Sequence, residues 1–427
     1  MSSRNLPFFI FAIIISARLV LASPQSEHDG KGVLTSNAAG RRRAALPPTR
    51  SLSPEVSLGD STFQSYGPAV VAFGLSGGLA LWEAGVSSYG KASYPLMESP
   101  ISSTGDMVNP AGQPLPLPSE HVPGRVAISF FTHSDTGIVV WSDPRGKGFA
   151  ARISTNGQLL DPQPLLLPDI NVSEVSVTCG DHDCLVLWLN FGDFYGNGGM
   201  KGTRVTTTGS LLDPLPLDFG GWQSGISAVW TGTEYWIARS TSMLDQTAHA
   251  YFQILEVLPL RASGLGSPIA SVDSHNPSIG KGSIAWNGFE GLMAWYSTVS
   301  DSNSAHNEIR YSRIDSNGGL LDGSQGVLIG TAPPPLYLTD SGSPTPWDGQ
   351  VTWDGTAFIV TWEGRQGATF FERITSAGQR LDGDLPNAGF SLPAPAPAAV
   401  VGIGQGRTVI SYYNPYSGPS RIRVMQE

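Results

Sequence analysis

The chain has 427 residues, of which 40% are hydrophobic and 14% charged, with a formal net charge of −10. That is too apolar for disorder throughout, and no basic run interleaves with aromatics, so nucleic acid is not an expected partner. Gly (51) and Pro (33) are abundant, which favours short strands joined by turns over amphipathic helices.

The N-terminus reads as a secretory signal over residues 1–22. Arg4 precedes an apolar run at residues 6–17, and Val20-Leu-Ala22 offers small or apolar residues for cleavage. The run ends at Arg18 and is too short to span a bilayer, so no membrane span is expected. Residues 23–52 lack periodicity and read as a flexible lead-in, in which Arg41-Arg-Arg43 is either a processing site or a solvated basic stretch. Residues 53–427 read as one domain, because the chain repeats itself from there on.

Each repeat opens with an apolar strand, a tight turn and a second strand carrying an aromatic. The turns include Ser76-Gly-Gly78, Thr231-Gly-Thr-Glu234 and Asp354-Gly-Thr356; the aromatics are Trp82, Trp141, Trp188, Trp236, Trp295, Trp362 and Tyr412. A polar loop and a third strand follow. In four repeats that strand runs into Arg152-Ile-Ser-Thr-Asn-Gly-Gln-Leu-Leu-Asp161 or its counterparts ending at Asp213, Asp322 and Asp382. The shared pattern is Arg, a β-branched aliphatic, any residue, Ser/Thr, any residue, Gly, two of any kind, Leu and Asp. A type I turn with only the Gly left-handed fits all four copies, since Thr208 resists positive φ where Asn156 accepts it. Arg and Asp lie near each other on facing strands, an ion pair worth about 0.2–1 kcal/mol if exposed. A proline-containing outer strand follows.

Four-stranded meanders that cannot each bury two faces stack around an axis, so the expected fold is an all-β propeller. Seven aromatics imply seven blades; six with an irregular end is the alternative. The chain ends without a fourth strand for the last blade, and Ser53-Pro-Glu-Val-Ser-Leu-Gly59 is a strand without a blade. It is expected to complete the seventh and close the ring.

Cys179 and Cys184 flank a turn and, in an exported chain, are expected to form a disulfide; a metal site with His182 lacks a fourth ligand. Asp315, Asn317 and Asp322 space oxygens closely, but Gly319 stands where a calcium loop needs an acid, so no cofactor is expected and calcium there is the weak alternative. No metalloprotease, nucleophile-elbow, phosphate-loop or dinucleotide string occurs.

A site is expected on the face carrying the longer loops. The candidate ligand-binding residues are Trp222, Trp347, Asp348, His121 and His275 between blades, and Asp143, Arg145, Tyr195, Glu363 and Arg365 between second and third strands. Asp169, Asn276, Asp193, Asp301 and His306 accompany them, and Asn171-Val-Ser173 is a glycosylation sequon. At the level of the repeat, Phe358-Ile-Val-Thr-Trp362 and Arg373-Ile-Thr-Ser-Ala-Gly378 resemble a class of secreted, mostly bacterial, β-propeller repeat proteins. The resemblance implies secretion and recognition and transfers no catalytic residue. The expected function is therefore an extracellular, monomeric, non-catalytic module binding carbohydrate or protein. A polysaccharide lyase or glycosidase at the mouth of the channel is the alternative, and a purely structural surface protein is a third reading.

Overall fold

The computed structural model describes residues 51–59, 64–65, 69–85, 95–117, 125–169, 171–190, 199–220, 226–245, 250–273, 279–300, 305–332, 350–363, 369–383, 390–392, 397–412 and 420–426, all within the compact unit Pro47–Glu427. The described residues form strands and turns and no helix. The strands make seven antiparallel sheets, and the innermost strands neighbour one another in a closed ring. The protein is a seven-bladed β-propeller.

From the inside outward, blade 1 comprises Val70–Phe73, Gly77–Gly85, Leu96–Ser102 and Gln113–Pro114. Blade 2 is Arg125–Phe130, Thr136–Ser142, Gly148–Ser154 and Leu165–Leu166. Blade 3 is Val172–Cys179, Asp183–Asn190, Gly199–Thr206 and Leu217–Gly220. Blade 4 is Ser227–Trp230, Tyr235–Asp245, Ala250–Arg261 and Ala270–Asp273. Blade 5 is Ile279–Trp286, Gly291–Ser300, Ala305–Ile314 and Val327–Ala332. Blade 6 is Gln350–Trp353, Phe358–Glu363, Thr369–Ile374 and Phe390–Leu392. Blade 7 takes Pro397–Gly404, Arg407–Tyr412 and Arg421–Gln426 from the C-terminus. Its outer edge comes from the N-terminal side, where Ser51 pairs with Gln426 and Val56 with Ile422. Closure by the segment around residues 53–59 is thus as expected, with pairing beginning at Ser51. Glu55 lies between the two short pairings, and its carboxylate takes the Tyr412 hydroxyl and the Arg421 and Arg423 guanidinium groups.

The core is distributed as seven apolar clusters, one at each blade interface. Six of the seven expected aromatics anchor these clusters against the preceding blade. They recur five residues beyond the residue closing the tight turn: Gly77 to Trp82, Thr136 to Trp141, Asp183 to Trp188, Glu290 to Trp295, Ala357 to Trp362 and Arg407 to Tyr412. Blade 4 departs from the expectation. Trp236 sits nearer the turn, donates its indole N–H to Glu234 at 2.9 Å and packs in the cluster shared with blade 5. The anchor position there is Arg239, which pairs with Glu256 and reaches the Phe219 carbonyl of blade 3.

Hydroxyls on the innermost strands tie one blade to the next. The Ser129, Ser227, Ser283 and Thr352 hydroxyls accept the N–H of Cys179, Ile284, Val351 and Gly402, and Thr178 donates to the Ala228 carbonyl. Each lies an even number of residues before its turn. Because side chains alternate along a strand, all five face the following blade.

The repeated hairpin forms as a type I turn with a left-handed Gly. Gly157, Gly209, Gly318 and Gly378 have φ from 77 to 90°, whereas Asn156, Thr208, Asn317 and Ala377 before them stay negative. Blade 1 makes the same turn at Gly105, with Pro100 and Asn109 in place of Arg and Asp. Of the pattern's two unspecified positions around Ser/Thr, the first carries a further rule. Ser102, Ser154, Thr206, Asp315 and Thr375 each offer an oxygen to the backbone N–H four residues on. Asp315 Oδ1 is therefore occupied with turn amides and Asp322 with Arg313.

Candidate functional site

Tight turns and repeated hairpins lie on one face of the ring; the loops from second to third strand and between blades lie on the other. On the tight-turn face the ionic groups bind one another. Asp161 accepts the backbone N–H of Arg152 at 2.7 Å and its guanidinium at 2.6 and 2.8 Å. Arg204, Arg313 and Arg373 make the same fork with Asp213, Asp322 and Asp382. These pairs are more buried than the sequence suggests, with Arg373 only 2% exposed. Burial works against ionisation of Asp213, yet the hydrogen bonds and charge of Arg204 outweigh it and hold the carboxyl below its usual range. The forks also span blades: Arg152 donates to the Thr207 carbonyl at 3.4 Å and Arg313 to that of Ser376 at 2.6 Å. A Cβ on Gly209 would stand 3.1 Å from the Arg152 guanidinium and one on Gly378 2.7 Å from that of Arg313, so these two hairpins seat on the fork before them.

The disulfide Cys179–Cys184 closes a tight turn of the same face, its Cα atoms 3.9 Å apart. Tyr235 of blade 4 clamps that turn: its hydroxyl accepts the Gly180 N–H and donates to the Asp183 carboxylate at 2.6 Å.

Of the expected ligand-binding residues, Trp222, Trp347, Asp348, His121, His275, Tyr195 and Arg365 lie outside the described residues, as do Asn276, Asp193 and Asp301. Glu363 ends the second strand of blade 6 opposite Thr369, and His306 lies within the third strand of blade 5 rather than in a loop. Asp143 and Arg145 occupy a built turn on the loop-rich face. Asp143 is 7% exposed; its Oδ1 accepts the backbone N–H of Arg145 and of Lys147, each at 2.9 Å. Its own N–H donates to the Lys147 carbonyl and its carbonyl accepts from Gly146. The buried acid thus serves the turn, and the two cations stand exposed at the tip.

Blade 3 holds this turn in place. Val172 N–H donates to the Gly146 carbonyl at 2.8 Å, and a Cβ on Gly146 would stand 2.9 Å from the Asn171 Cα. Asn171 is exposed and left-handed at φ 63°, a conformation Asn tolerates. Two residues earlier, Asp169 accepts the indole N–H of Trp188 and the amide of Asn190, each at 2.9 Å, with the Lys201 ammonium at 3.7 Å. Each of the other described arginine and lysine side chains has an ionic or hydrogen-bond partner. Among the described residues Arg145 and Lys147 make no ion pair. Sequence reasoning singled out Arg145 but not Lys147; the Asp-Pro-Arg-Gly-Lys string could have identified both had its Asp been recognisable as a turn former.

A second charged feature of this face is Glu83, near the end of the second strand of blade 1. Burial pushes its carboxyl up to about 7, against the opposing charge of Arg125 at the start of blade 2. A cavity of about 40 Å³ at blades 4 and 5, lined by Trp295, Glu308 and Arg310, has room for a water or two and none for a sugar. Among the described residues no group of three or more His, Cys, Asp or Glu could hold a metal ion, and no helix is long and apolar enough to cross a membrane.

No protein-family model and no curated protein matches the chain. Solved propellers resemble it in fold alone. A subtype N11 neuraminidase-like protein from a flat-faced bat influenza virus is 11% identical with a TM-score of 0.44, over 90% of this chain and 94% of that one. The polysaccharide lyase Uly1 is 10% identical at 0.47, over 88% and 99%. An acylaminoacyl peptidase of Pyrococcus horikoshii is 9% identical at 0.47, and the match covers 84% of this chain and 50% of that enzyme.

Proposed function

We propose that the chain is an exported recognition module that binds carbohydrate on the loop-rich face of its propeller and performs no chemistry on it. The observation that carries this reading is the rigid Asp143 turn, which holds Arg145 and Lys147 exposed and, among the described residues, unpaired, where each of the other described cations has a hydrogen-bond or ionic partner. Fixing the backbone that carries these groups in advance removes part of the entropic cost of binding. The disulfide and the N-terminal signal pattern support export to an oxidising compartment. The test is a glycan array and a pull-down with the chain from residue 23 onward, run beside an assay for new sugar ends. Capture of a glycan without cleavage supports the reading; cleavage, or capture of protein alone, refutes it.

One observation favours a second reading. Glu83, titrating near neutrality beside Arg125, has the properties of a general acid or base. In a polysaccharide-cleaving enzyme Glu83→Gln abolishes cleavage while leaving glycan capture intact; capture without cleavage in the unsubstituted protein rejects this alternative.

A further inference from the structure

We propose that the ligand is an acidic polysaccharide, and that one of its carboxylate or sulfate groups seats on a subsite made by Arg145, Lys147 and the Asn171 amide. This rests on the carbohydrate reading above and names its ligand class. Arg145 and Lys147 are exposed and have no counter-ion among the described residues. The Asp143 carboxylate is spent on backbone amides. Asp169, two residues before Asn171, faces Trp188, Asn190 and Lys201. The turn is bonded to the chain entering blade 3 through Gly146 and Val172, which brings the Asn171 backbone against Gly146, between the two cations in sequence; the Asn171 side chain is exposed and has no partner among the described residues. A backbone fixed from both sides offers two positive charges and one amide N–H₂ group, a donor set suited to a planar carboxylate or a tetrahedral sulfate.

The polymer follows from magnitudes. An exposed ionic contact contributes roughly 0–1 kcal/mol, too little to hold a lone acidic sugar. A chain that repeats the acid returns a second group to the subsite at high effective concentration and converts a weak contact into useful affinity. The formal charge of −10 opposes long-range attraction of polyanions. Recognition is therefore local, and it operates at about 0.15 M salt, where the far field is screened beyond roughly 8 Å.

The experiment measures binding of polygalacturonate, a sulfated galactan, neutral laminarin and polyglutamate to the chain from residue 23 onward at that salt. Polygalacturonate or the sulfated galactan binds, the stronger of the two identifying the acid. Arg145→Ala and Lys147→Ala each weaken it by up to about fivefold, the size of one exposed ionic contact. Asn171→Asp, which keeps the left-handed backbone but adds a negative charge, weakens it at least as much, while all three melt like the parent. Laminarin binding that ignores the substitutions overturns the acidic subsite and leaves the carbohydrate reading standing. Polyglutamate binding as tightly as the glycans overturns the sugar assignment. No glycan binding at all overturns both.

Discussion

The two faces of the ring use similar residues for opposite ends. On the tight-turn face, Asp161 binds Arg152, and that arginine reaches the hairpin of the next blade. On the loop-rich face, Asp143 gives its carboxylate to the backbone and releases Arg145 and Lys147 to solvent. The difference lies in what the acid satisfies. An Asp that accepts a guanidinium cancels a charge and joins blades; an Asp that accepts amides shapes a turn and leaves the charge for something else. Recurrence therefore marks construction in this protein, and the unrepeated turn is where we propose recognition.

The contrast breaks most visibly if Arg373→Ala is tolerated. Its fork with Asp382 is nearly buried, and removing the guanidinium strands a carboxylate; the expected loss is about 3–5 kcal/mol by urea unfolding. Replacing both cysteines by serine opens the turn that Tyr235 clamps. A loop this short gives a loss of about 2 kcal/mol, read as a lower urea midpoint than that of the parent under oxidising conditions.

Glu83 gives a pH test on the other face. Its folded carboxyl holds a proton up to about 7, whereas the unfolded chain releases it near 4.5. The folded state binds more protons in that interval, so this contribution is fully present below about pH 4.5 and is lost as pH rises through 7. Glu83→Gln should flatten the fall in melting temperature across this window; an unchanged slope removes Glu83 as its cause. The smallest effect belongs to Arg145→Ala and Lys147→Ala, each within about 0.5 kcal/mol of the parent in stability. A larger loss would place them in the framework and erase the distinction between the faces.

Part of this was legible in the chain itself. Turn glycines, alternating strands and six of the seven anchors were readable because each is a local requirement repeated in nearly the same words. Trp236 misled because an aromatic near a turn satisfies the same pattern whichever blade it faces. Only the pairing of Arg239 with Glu256 shows where the anchor register falls. Blade 1 hides its hairpin for the converse reason: Pro100 and Asn109 stand where the other blades carry Arg and Asp, yet Gly105 keeps the turn.

The sequence by itself determined a propeller of seven short-stranded repeats, closed by a strand from its own N-terminal side and carrying one disulfide. Backbone conformation and strand periodicity act over a few residues and leave their marks there. The tertiary structure alone decided which acids neutralise which cations, because that depends on contacts between residues of different blades. In that assignment Arg152 became a joint between blades, and Arg145 with Lys147 remained exposed and unpaired.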